Sequence, residues 1–276
     1  MVKSFDDILA KVKECSTKTV AVAVAQDDAV LEACKAAKER GIANSILVGD
    51  ADKIKEIASS LSMNIDDYEI IDVKDVTEAA LTAVKLVHDG KADMYMKGLI
   101  DTKGFLKSVL DKEVGLRTGK PLSHVCVFDV EGIDHLLFLT DVAFIPYPTL
   151  EDKVNIINNT VEICNACGIE NPKVAPLAAV EVVNPKMPAT VEAAIHKGCT
   201  DRKIQGDADV LLFPDIHAGN ICYKSMVHTA TKCILFFTFL LGSLHGFFAD
   251  TTKKTKNKTP SLWTGHCFWL PLSGST

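Results

Sequence analysis

The sequence predicts an α/β fold built from mostly parallel sheets that are covered by helices. Short β-branched runs alternate with helical stretches through the first third of the chain, and two of these helices end at Gly41 and Gly90. Strands that alternate with helices pair in parallel, because each crossover returns the chain to the same edge of the sheet. With 276 residues, of which 47% are hydrophobic, the chain is long enough for one large or two ordinary domains.

The first elements follow from hydrophobic spacing and from their terminal residues. The β-branched run at 20–24 predicts a strand, and the helix that follows it at 29–40 stops at Gly41. An N-terminal helix is predicted because its apolar residues share one side: Phe5, Ile8, Leu9 and Val12. We then predict strands at 45–48, 68–71 and 94–96 and helices at 50–61, 76–88 and 103–110.

The second half of the chain predicts a hairpin, a long helix and two further strands. The apolar runs at 122–129 and 135–139 flank a turn at 131–133, which is typical of a β-hairpin. A helix at 150–167 stops at Gly168. Strands are predicted at 173–177, after Asn171 and Pro172, and at 208–213, before Pro214.

Composition changes toward the C-terminus, and this change marks the beginning of an atypical tail. We expect a first α/β domain at 1–120, which could also receive the C-terminal part, a shorter second domain at 121–228, and an atypical tail at 229–276. Six of the twelve Phe and both Trp fall in the last fifth of the chain, where the strand–helix alternation ends. The tail predicts a poorly specified, aggregation-prone segment, and a membrane span at 233–248 is the alternative, although it is short and interrupted by Gly.

Charge and cysteine usage exclude several classes of function. The formal net charge is −6 and the Lys residues are scattered, so the chain lacks the concentrated positive field that nucleic acids require. The N-terminus has no apolar core of the length that a secretory signal needs, which predicts a cytoplasmic protein. Nine Cys at irregular spacing predict reduced thiols. Cys164 and Cys167 lie late in a helix without a second pair, so we expect neither a metal site nor redox use.

Cations near predicted strand ends are the first candidate site residues. Lys97 and Gly98 follow a buried strand, and ligands of open α/β sheets bind at the carboxyl ends of strands. Arg117 is one of only three Arg, and Ser123 and His124 follow it closely. A guanidinium, a hydroxyl and an imidazole are the hydrogen-bonding groups that a phosphate site needs. A solvated Lys at a strand end and a basic surface loop are the alternatives for these two segments.

Polar residues follow three other predicted strands and complete the candidate set. A carboxylate after 208–213 could orient a thiol or a cation, and a cap on the next helix is the alternative. No Gly-rich phosphate loop of the P-loop or dinucleotide type occurs, so a nucleotide-binding motif is lacking. These further candidates are Thr140, Asp141, Asn184, Lys186, Asp215, Gly219 and Asn220.

Five segments of the chain resemble the phosphate acetyl/butyryltransferase family. They are residues 96–105, 121–129, 139–141, 168–187 and 206–224. The runs GIENPKVAPLAAVEVVNPKM and GDADVLLFPDIHAGNICYK are the most specific of them, and the resemblance extends over residues 1–228.

The resemblance implies a fold, a reaction and roles for the candidate residues. It implies two α/β domains with a cleft, similar to isocitrate and isopropylmalate dehydrogenases, in a homodimer or larger homo-oligomer. The implied reaction moves a short acyl group, butanoyl by preference, between coenzyme A and inorganic phosphate. Coenzyme A is then a substrate, and neither a metal nor a permanently bound cofactor is implied. The implied catalytic residues are Ser123, His124 and Asp215, and the implied substrate-binding residues are Lys97, Arg117, Thr140, Asp141, Asn184, Lys186, Gly219 and Asn220.

Two departures from the family pattern leave alternatives open. Relatives carry a further segment with an Asp-Gly-Pro-Leu motif where this chain joins Gln205 directly to Gly206, so we expect an incomplete second domain. Relatives also carry a Thr-Ser-Arg segment after the equivalent of Thr229, whereas this chain contains no Ser-Arg pair. The alternatives are a catalytically inactive protein of the same fold that binds coenzyme A or serves in assembly, and a dehydrogenase of the same fold.

Overall fold

The computed structural model describes residues 2–117, 119, 121–130, 132–178, 207–229, 233–241 and 247–248. The chain divides into two compact units. The first unit comprises residues 9–119 together with the strand at 247–248, and the second comprises the described residues of 120–242 together with residues 2–8. The predicted limit at 120 lies beside this division, and independent folding of the two parts stays a prediction.

Helices and strands alternate along the described chain. The helices are α1 (Phe5–Lys13), α2 (Asp28–Glu39), α3 (Ala51–Ser60), α4 (Val76–His88), α5 (Thr102–Val109), α6 (Leu150–Ala166) and α7 (Ile216–Thr229), with a short 3-10 turn at Ile65–Asp67. The strands are β1 (Lys18–Ala23), β2 (Ala43–Gly49), β3 (Glu69–Asp72), β4 (Met94–Lys97), β5 (Ser123–Val130), β6 (Leu137–Thr140), β7 (Val174–Pro176), β8 (Val210–Leu212), β9 (Cys233–Leu241) and β10 (Phe247–Phe248).

The first unit contains a five-stranded parallel sheet in the order β10-β4-β1-β2-β3. Its central strand β1 is fully buried over its last four residues, as the predicted helix cover on both faces requires. Four aspartates that follow strands or turns begin helices, because each side chain accepts a hydrogen bond from a backbone N–H of the first helical turn. They are Asp27, Asp50, Asp75 and Asp101, which cap α2, α3, α4 and α5.

The second unit contains a mixed sheet in the order β7-β8-β6-β5-β9. Strands β6, β7 and β8 run parallel, and β5 pairs with β6 in the antiparallel sense, so the predicted hairpin is confirmed. One face of this sheet packs against α7, which turns its own apolar residues toward it. That core contains Cys126, Phe128, Leu137, Leu139, Val142 and Phe213, with Ala218, Cys222, Tyr223 and Met226 from α7.

The predicted tail does not stay apart from the sheets. Residues 233–241 form strand β9, whose backbone pairs in the antiparallel sense with β5 along Ser123–Val130. The short strand β10 pairs in parallel with β4. The interpretation of the rest of 229–276 as a poorly specified, aggregation-prone segment stays a prediction, beyond these two paired strands. No helix in the described part of the chain is long and apolar enough to span a membrane.

Candidate functional site

Lys97 lies at the topological switch point of the first unit's sheet. From β1 the chain continues to β2 and β3 on one side of β1, and it then crosses over to β4 on the other side. The strand order therefore reverses between β1 and β4. Ligands of open α/β sheets bind at the carboxyl ends of the strands at such a point. Lys97 is the last residue of β4 and is half-buried.

Gly98 allows the backbone of two strand ends to meet at this point. Its N–H donates to the carbonyl of Ala23 at 2.8 Å. A Cβ atom at position 98 would overlap the carbonyl oxygens of Ala23 and Val24, so only glycine fits. Leu99 follows with 56% of its surface exposed, and its N–H donates to the carbonyl of Val24 at 2.8 Å.

Arg117 also belongs to the first unit and is exposed, directly after the buried Leu116. The next described residue, Gly119, has a φ of 81°, which L side chains rarely adopt. An exposed guanidinium beside a glycine turn is free of the desolvation penalty that a buried cation would incur. This arrangement is compatible with binding a phosphate from solvent and equally with a basic surface loop.

Ser123 and His124 open strand β5 in the second unit and point to opposite faces of its sheet. The Ser123 hydroxyl is fully buried and accepts a hydrogen bond from the Asn159 side-chain amide on α6 at 2.9 Å. The His124 ring lies on the other face, where its Nδ1 is 3.6 Å from the Cys126 thiol. Burial lowers the pKa of His124 to about 3, so its ring is neutral near pH 7.

Thr140 is the last residue of strand β6 and Asp141 follows it, and both have buried polar side chains. The Thr140 hydroxyl donates to the carbonyl of His124 at 2.9 Å. The Asp141 carboxylate accepts hydrogen bonds from four backbone N–H groups, and only 3% of the residue is exposed. Burial raises the pKa of Asp141, while these N–H groups act in the opposite direction. The donors are His124 at 3.3 Å, Ala143 at 2.9 Å and Phe144 at 3.2 Å to Oδ1, and Ile145 at 3.0 Å to Oδ2.

The first turn of α7 packs directly on the residues that follow Asp141. Asp215 caps this helix, since its carboxylate accepts from the N–H of Ala218 at 2.9 Å. The Asn220 side chain donates to the carbonyl of Val142 at 3.2 Å. A Cβ atom at Gly219 would lie 2.7 Å from the carbonyl oxygen of Asp141, so the helix needs glycine here to approach so closely.

Sequence reasoning missed Lys153, a buried cation on α6. Only 6% of this residue is exposed. Burial lowers its pKa, and the negative charge of Asp215 acts in the opposite direction, so the two side chains interact electrostatically. The signal was available in the sequence, because Lys153 occupies the same helical stripe as the buried Ile156, Thr160 and Ile163.

The structure therefore brings several of the predicted residues together within the second unit. Within the second unit, Asp141 contacts the backbone of His124, and Gly219 and Asn220 pack on the residues beside Asp141. Lys97 and Arg117 belong to the first unit. Asn184 and Lys186 lie outside the described residues. The roles of all these residues in chemistry stay predictions.

The cysteines and possible metal ligands add no further site in the described residues. Cys164 and Cys167 are buried and form no disulfide, and burial raises the pKa of the Cys164 thiol, which disfavours the reactive thiolate. No group of three or more His, Cys, Asp or Glu in the described part of the chain is arranged to hold a metal ion.

Comparison with known proteins gives strong similarities. The family model described as "Phosphate acetyl/butaryl transferase" matches residues 4–80, 73–196 and 188–245. A phosphate butyryltransferase from Clostridium acetobutylicum is 51% identical over 260 residues, which cover 83% of this chain and 86% of the relative. A phosphate butyryltransferase from Clostridium beijerinckii is also 51% identical, over 83% of this chain and 85% of the relative.

A solved structure gives the same result at the level of the fold. The crystal structure of a branched-chain phosphotransacylase from Enterococcus faecalis superposes with a TM-score of 0.69 at 27% identity, over 84% of this chain and 91% of that protein. This likeness confirms the predicted α/β fold class.

Proposed function

Because the chain belongs to the phosphate acetyl/butaryl transferase family, we propose that it transfers a short acyl group, butanoyl by first choice, between coenzyme A and inorganic phosphate. The observation that carries this proposal is the 51% identity with a phosphate butyryltransferase over 83% of the chain. Acyl-coenzyme A and phosphate are then its substrates. Coenzyme A leaves as a product in this scheme, which requires no permanently bound cofactor.

The reaction sets clear demands on the protein. A phosphate oxygen attacks the thioester carbonyl carbon, the carbon–sulfur bond breaks, and the sulfur leaves as a thiolate that takes up a proton. The site must hold the phosphate charge, bring the two reactants to attack distance and stabilise the negative charge on the carbonyl oxygen. Cations that are reachable from solvent and backbone N–H groups at strand ends are the groups that meet these demands.

Lys97 and Arg117 are the cations that we assign to the phosphate. The position of Lys97 at the switch point of a parallel sheet supports this role. The exposure of Arg117 beside a glycine turn supports the same role. We also assign Asp215 a role in the reaction, since it follows the carboxyl end of β8 and begins α7.

A second candidate function is an inactive protein of the same fold that binds coenzyme A. The observation that favours it is the absence of a Ser-Arg pair from the sequence. This candidate predicts binding of butanoyl-coenzyme A without phosphate-dependent turnover. We also propose that the protein works in the cytoplasm. We propose that it forms a homodimer or larger homo-oligomer, and light scattering on the purified chain would test this oligomeric state.

The decisive experiment follows both products of butanoyl-coenzyme A with and without phosphate. Free thiol is measured with a chromogenic disulfide reagent, after subtraction of the signal from the protein's own nine cysteines. Butanoyl phosphate is trapped with hydroxylamine as the hydroxamate, after subtraction of the hydroxamate that butanoyl-coenzyme A forms with hydroxylamine in the absence of enzyme. The proposal expects equal amounts of both products, only when phosphate is present. Thiol release that ignores phosphate would contradict it, and binding without release would support the inactive protein.

A matched preparation guards against a contaminating enzyme. Lys97→Ala, purified in parallel, retains any contaminant but lacks a proposed phosphate contact. At a phosphate concentration below the wild-type KM, equal activity in both preparations would trace the turnover to the contaminant or remove Lys97 from the site. Parallel assays with acetyl-coenzyme A give the acyl preference, for which each methylene shifts binding by roughly 1 kcal/mol or more.

A further inference from the structure

The loop that joins β6 to α6, residues 141–149, is held by hydrogen bonds from its own backbone N–H groups to the buried carboxylate of Asp141. We propose that Asp141 is a positioning residue for the acyl transfer, acting as an internal anion that holds this loop and, through it, the first turn of α7 that bears Asp215. The proposal rests on the proposed function for its link to catalysis. It differs from the role that the sequence suggested for Asp141, which was direct contact with the substrate.

The carboxylate of Asp141 sits in a nest of main-chain donors. Three N–H groups point at Oδ1 and one points at Oδ2, at distances of 2.9 to 3.3 Å. Successive backbone N–H groups arranged in this way form a concavity that binds anions. In this loop the anion is a side chain of the protein itself.

The same contacts leave Asp141 little capacity for substrate. An ionised carboxylate offers about two acceptor positions on each oxygen, and three N–H groups already donate to Oδ1 and one to Oδ2. With 3% of the residue exposed, it has almost no surface that a ligand could reach. Its hydrogen bonds are charge-assisted and lie in a low-dielectric environment, which makes them strong and makes their removal costly.

Two further hydrogen bonds connect the loop to the first turns of α7. Asn220 binds the carbonyl of Val142, and the N–H of Ile216 donates to the carbonyl of Pro146 at 3.3 Å. Ile216 directly follows Asp215. The loop held by Asp141 is thus bonded to the residue beside the proposed site carboxylate. A shift of the loop would therefore move Asp215.

The experiment is Asp141→Ala with chemical rescue by formate. The substitution removes the anion and leaves four N–H groups around a space of carboxylate size. We expect the amides of Ala143, Phe144 and Ile145 to exchange with deuterium at least about tenfold faster, while amides of β8 keep their rates. We expect kcat/KM for butanoyl-coenzyme A to fall at least about tenfold. Formate should partly restore both quantities in a concentration-dependent way.

Two controls make the rescue specific. Asp134→Ala removes an exposed carboxylate from the same unit and should change neither the loop exchange nor the response to formate. Wild-type protein with formate measures any competition between formate and phosphate. If Asp141→Ala fails to fold, Asp141→Asn replaces it, because the amide oxygen can still accept at the Oδ1 position while the N–H of Ile145 loses its partner.

Three results would overturn the proposal. One is unchanged exchange at 143–145 in both variants. Another is lost turnover with a loop that stays protected, which would return Asp141 to direct contact with substrate. The third is exchange and turnover that formate leaves unaltered in Asp141→Ala. Amide exchange does not depend on turnover. If the wild-type protein is inactive but the loop of Asp141→Ala exchanges faster, the proposed function is wrong and the role of Asp141 in holding the loop is retained.

Discussion

Ser123 and His124, adjacent in the sequence, send their side chains to opposite faces of the second unit's sheet. Ser123 is bonded to Asn159 of α6, whereas His124 lies beside Cys126 on the face that packs against α7. Successive side chains of a strand alternate between faces, so this separation follows from the backbone geometry of β5. The two residues therefore carry separate predictions.

Ser123→Ala should cost stability more than activity. The substitution leaves the Asn159 amide without one of its acceptors, although that amide also donates to the carbonyl of Pro121 at 3.3 Å. We expect the free energy of unfolding in urea to fall by about 1 to 2 kcal/mol. We expect kcat to stay within about threefold of the wild type.

A double-mutant cycle with Asn159→Ala checks the source of this loss. If the hydrogen bond carries it, the double variant should be more stable than the sum of the two single losses predicts. A fall in kcat by orders of magnitude, with stability retained, would instead restore the catalytic role that the sequence suggested for Ser123.

His124 should make the protein less stable in weak acid. Its pKa is about 3 in the folded protein and about 6.5 in the unfolded chain, so the unfolded chain binds the extra proton between these values. The stability linked to this group is fully present above pH 6.5 and is lost as the pH falls toward 3. Between pH 7 and pH 5 the loss is about 2 kcal/mol.

The measurement compares urea unfolding of the wild type and His124→Phe at these two pH values. The variant should lack this component of the pH dependence, since Phe keeps an aromatic ring in the same buried space. His217→Ala, which removes an exposed imidazole of the same unit, should keep it. An equal pH dependence in the wild type and in His124→Phe would contradict the buried neutral ring.

Local signals in the sequence were sufficient for most of the elements. Helix α4 begins and ends at the predicted residues, because Asp75 caps it and Gly90 follows its end with a φ of 72°. The hairpin of β5 and β6 was also predictable, since both apolar runs flank a polar turn. Caps, periodicity and turn residues act within a few positions of each other and can be read from one stretch of chain.

Contacts between distant segments were not predictable in the same way. The pairing of β9 with β5 joins residues about a hundred positions apart. The apolar run at 233–241 indicated a propensity for burial or for a strand, but it did not indicate which strand would pair with it. The nest around Asp141 depends on the path of the loop after it. Lys153 is the opposite case, because its place in the buried stripe of α6 was visible in the sequence.

Gly219→Ala should loosen the contact between α7 and the 141–149 loop. The added Cβ atom would lie 2.7 Å from the carbonyl oxygen of Asp141 and 3.1 Å from the Cα of Val142. These are backbone atoms of a buried segment and cannot move aside cheaply. We expect the free energy of unfolding to fall by about 1 to 3 kcal/mol.

Gly104→Ala is the matched control for this substitution. It also adds a methyl group to a helical glycine, but the nearest atoms, at 3.1 Å, belong to the side chains of Asp101 and Ile100. Side chains can shift, and Ala favours the helix by up to about 1 kcal/mol. The control should be neutral or slightly stabilising. Equal effects of the two substitutions would show that the contact between α7 and the loop is not tight.

Lys97→Ala should weaken the use of phosphate more than the use of the thioester. If the ammonium group neutralises phosphate at the switch point, its removal raises the KM for phosphate by at least about tenfold and leaves the KM for butanoyl-coenzyme A within about threefold. Lys103→Ala is the control, because Lys103 is an exposed cation in the first turn of α5, which follows β4. Steady-state kinetics with each substrate varied in turn separates the two constants. Similar changes in both variants would mean that the general positive charge of this region, and not Lys97 itself, attracts the phosphate.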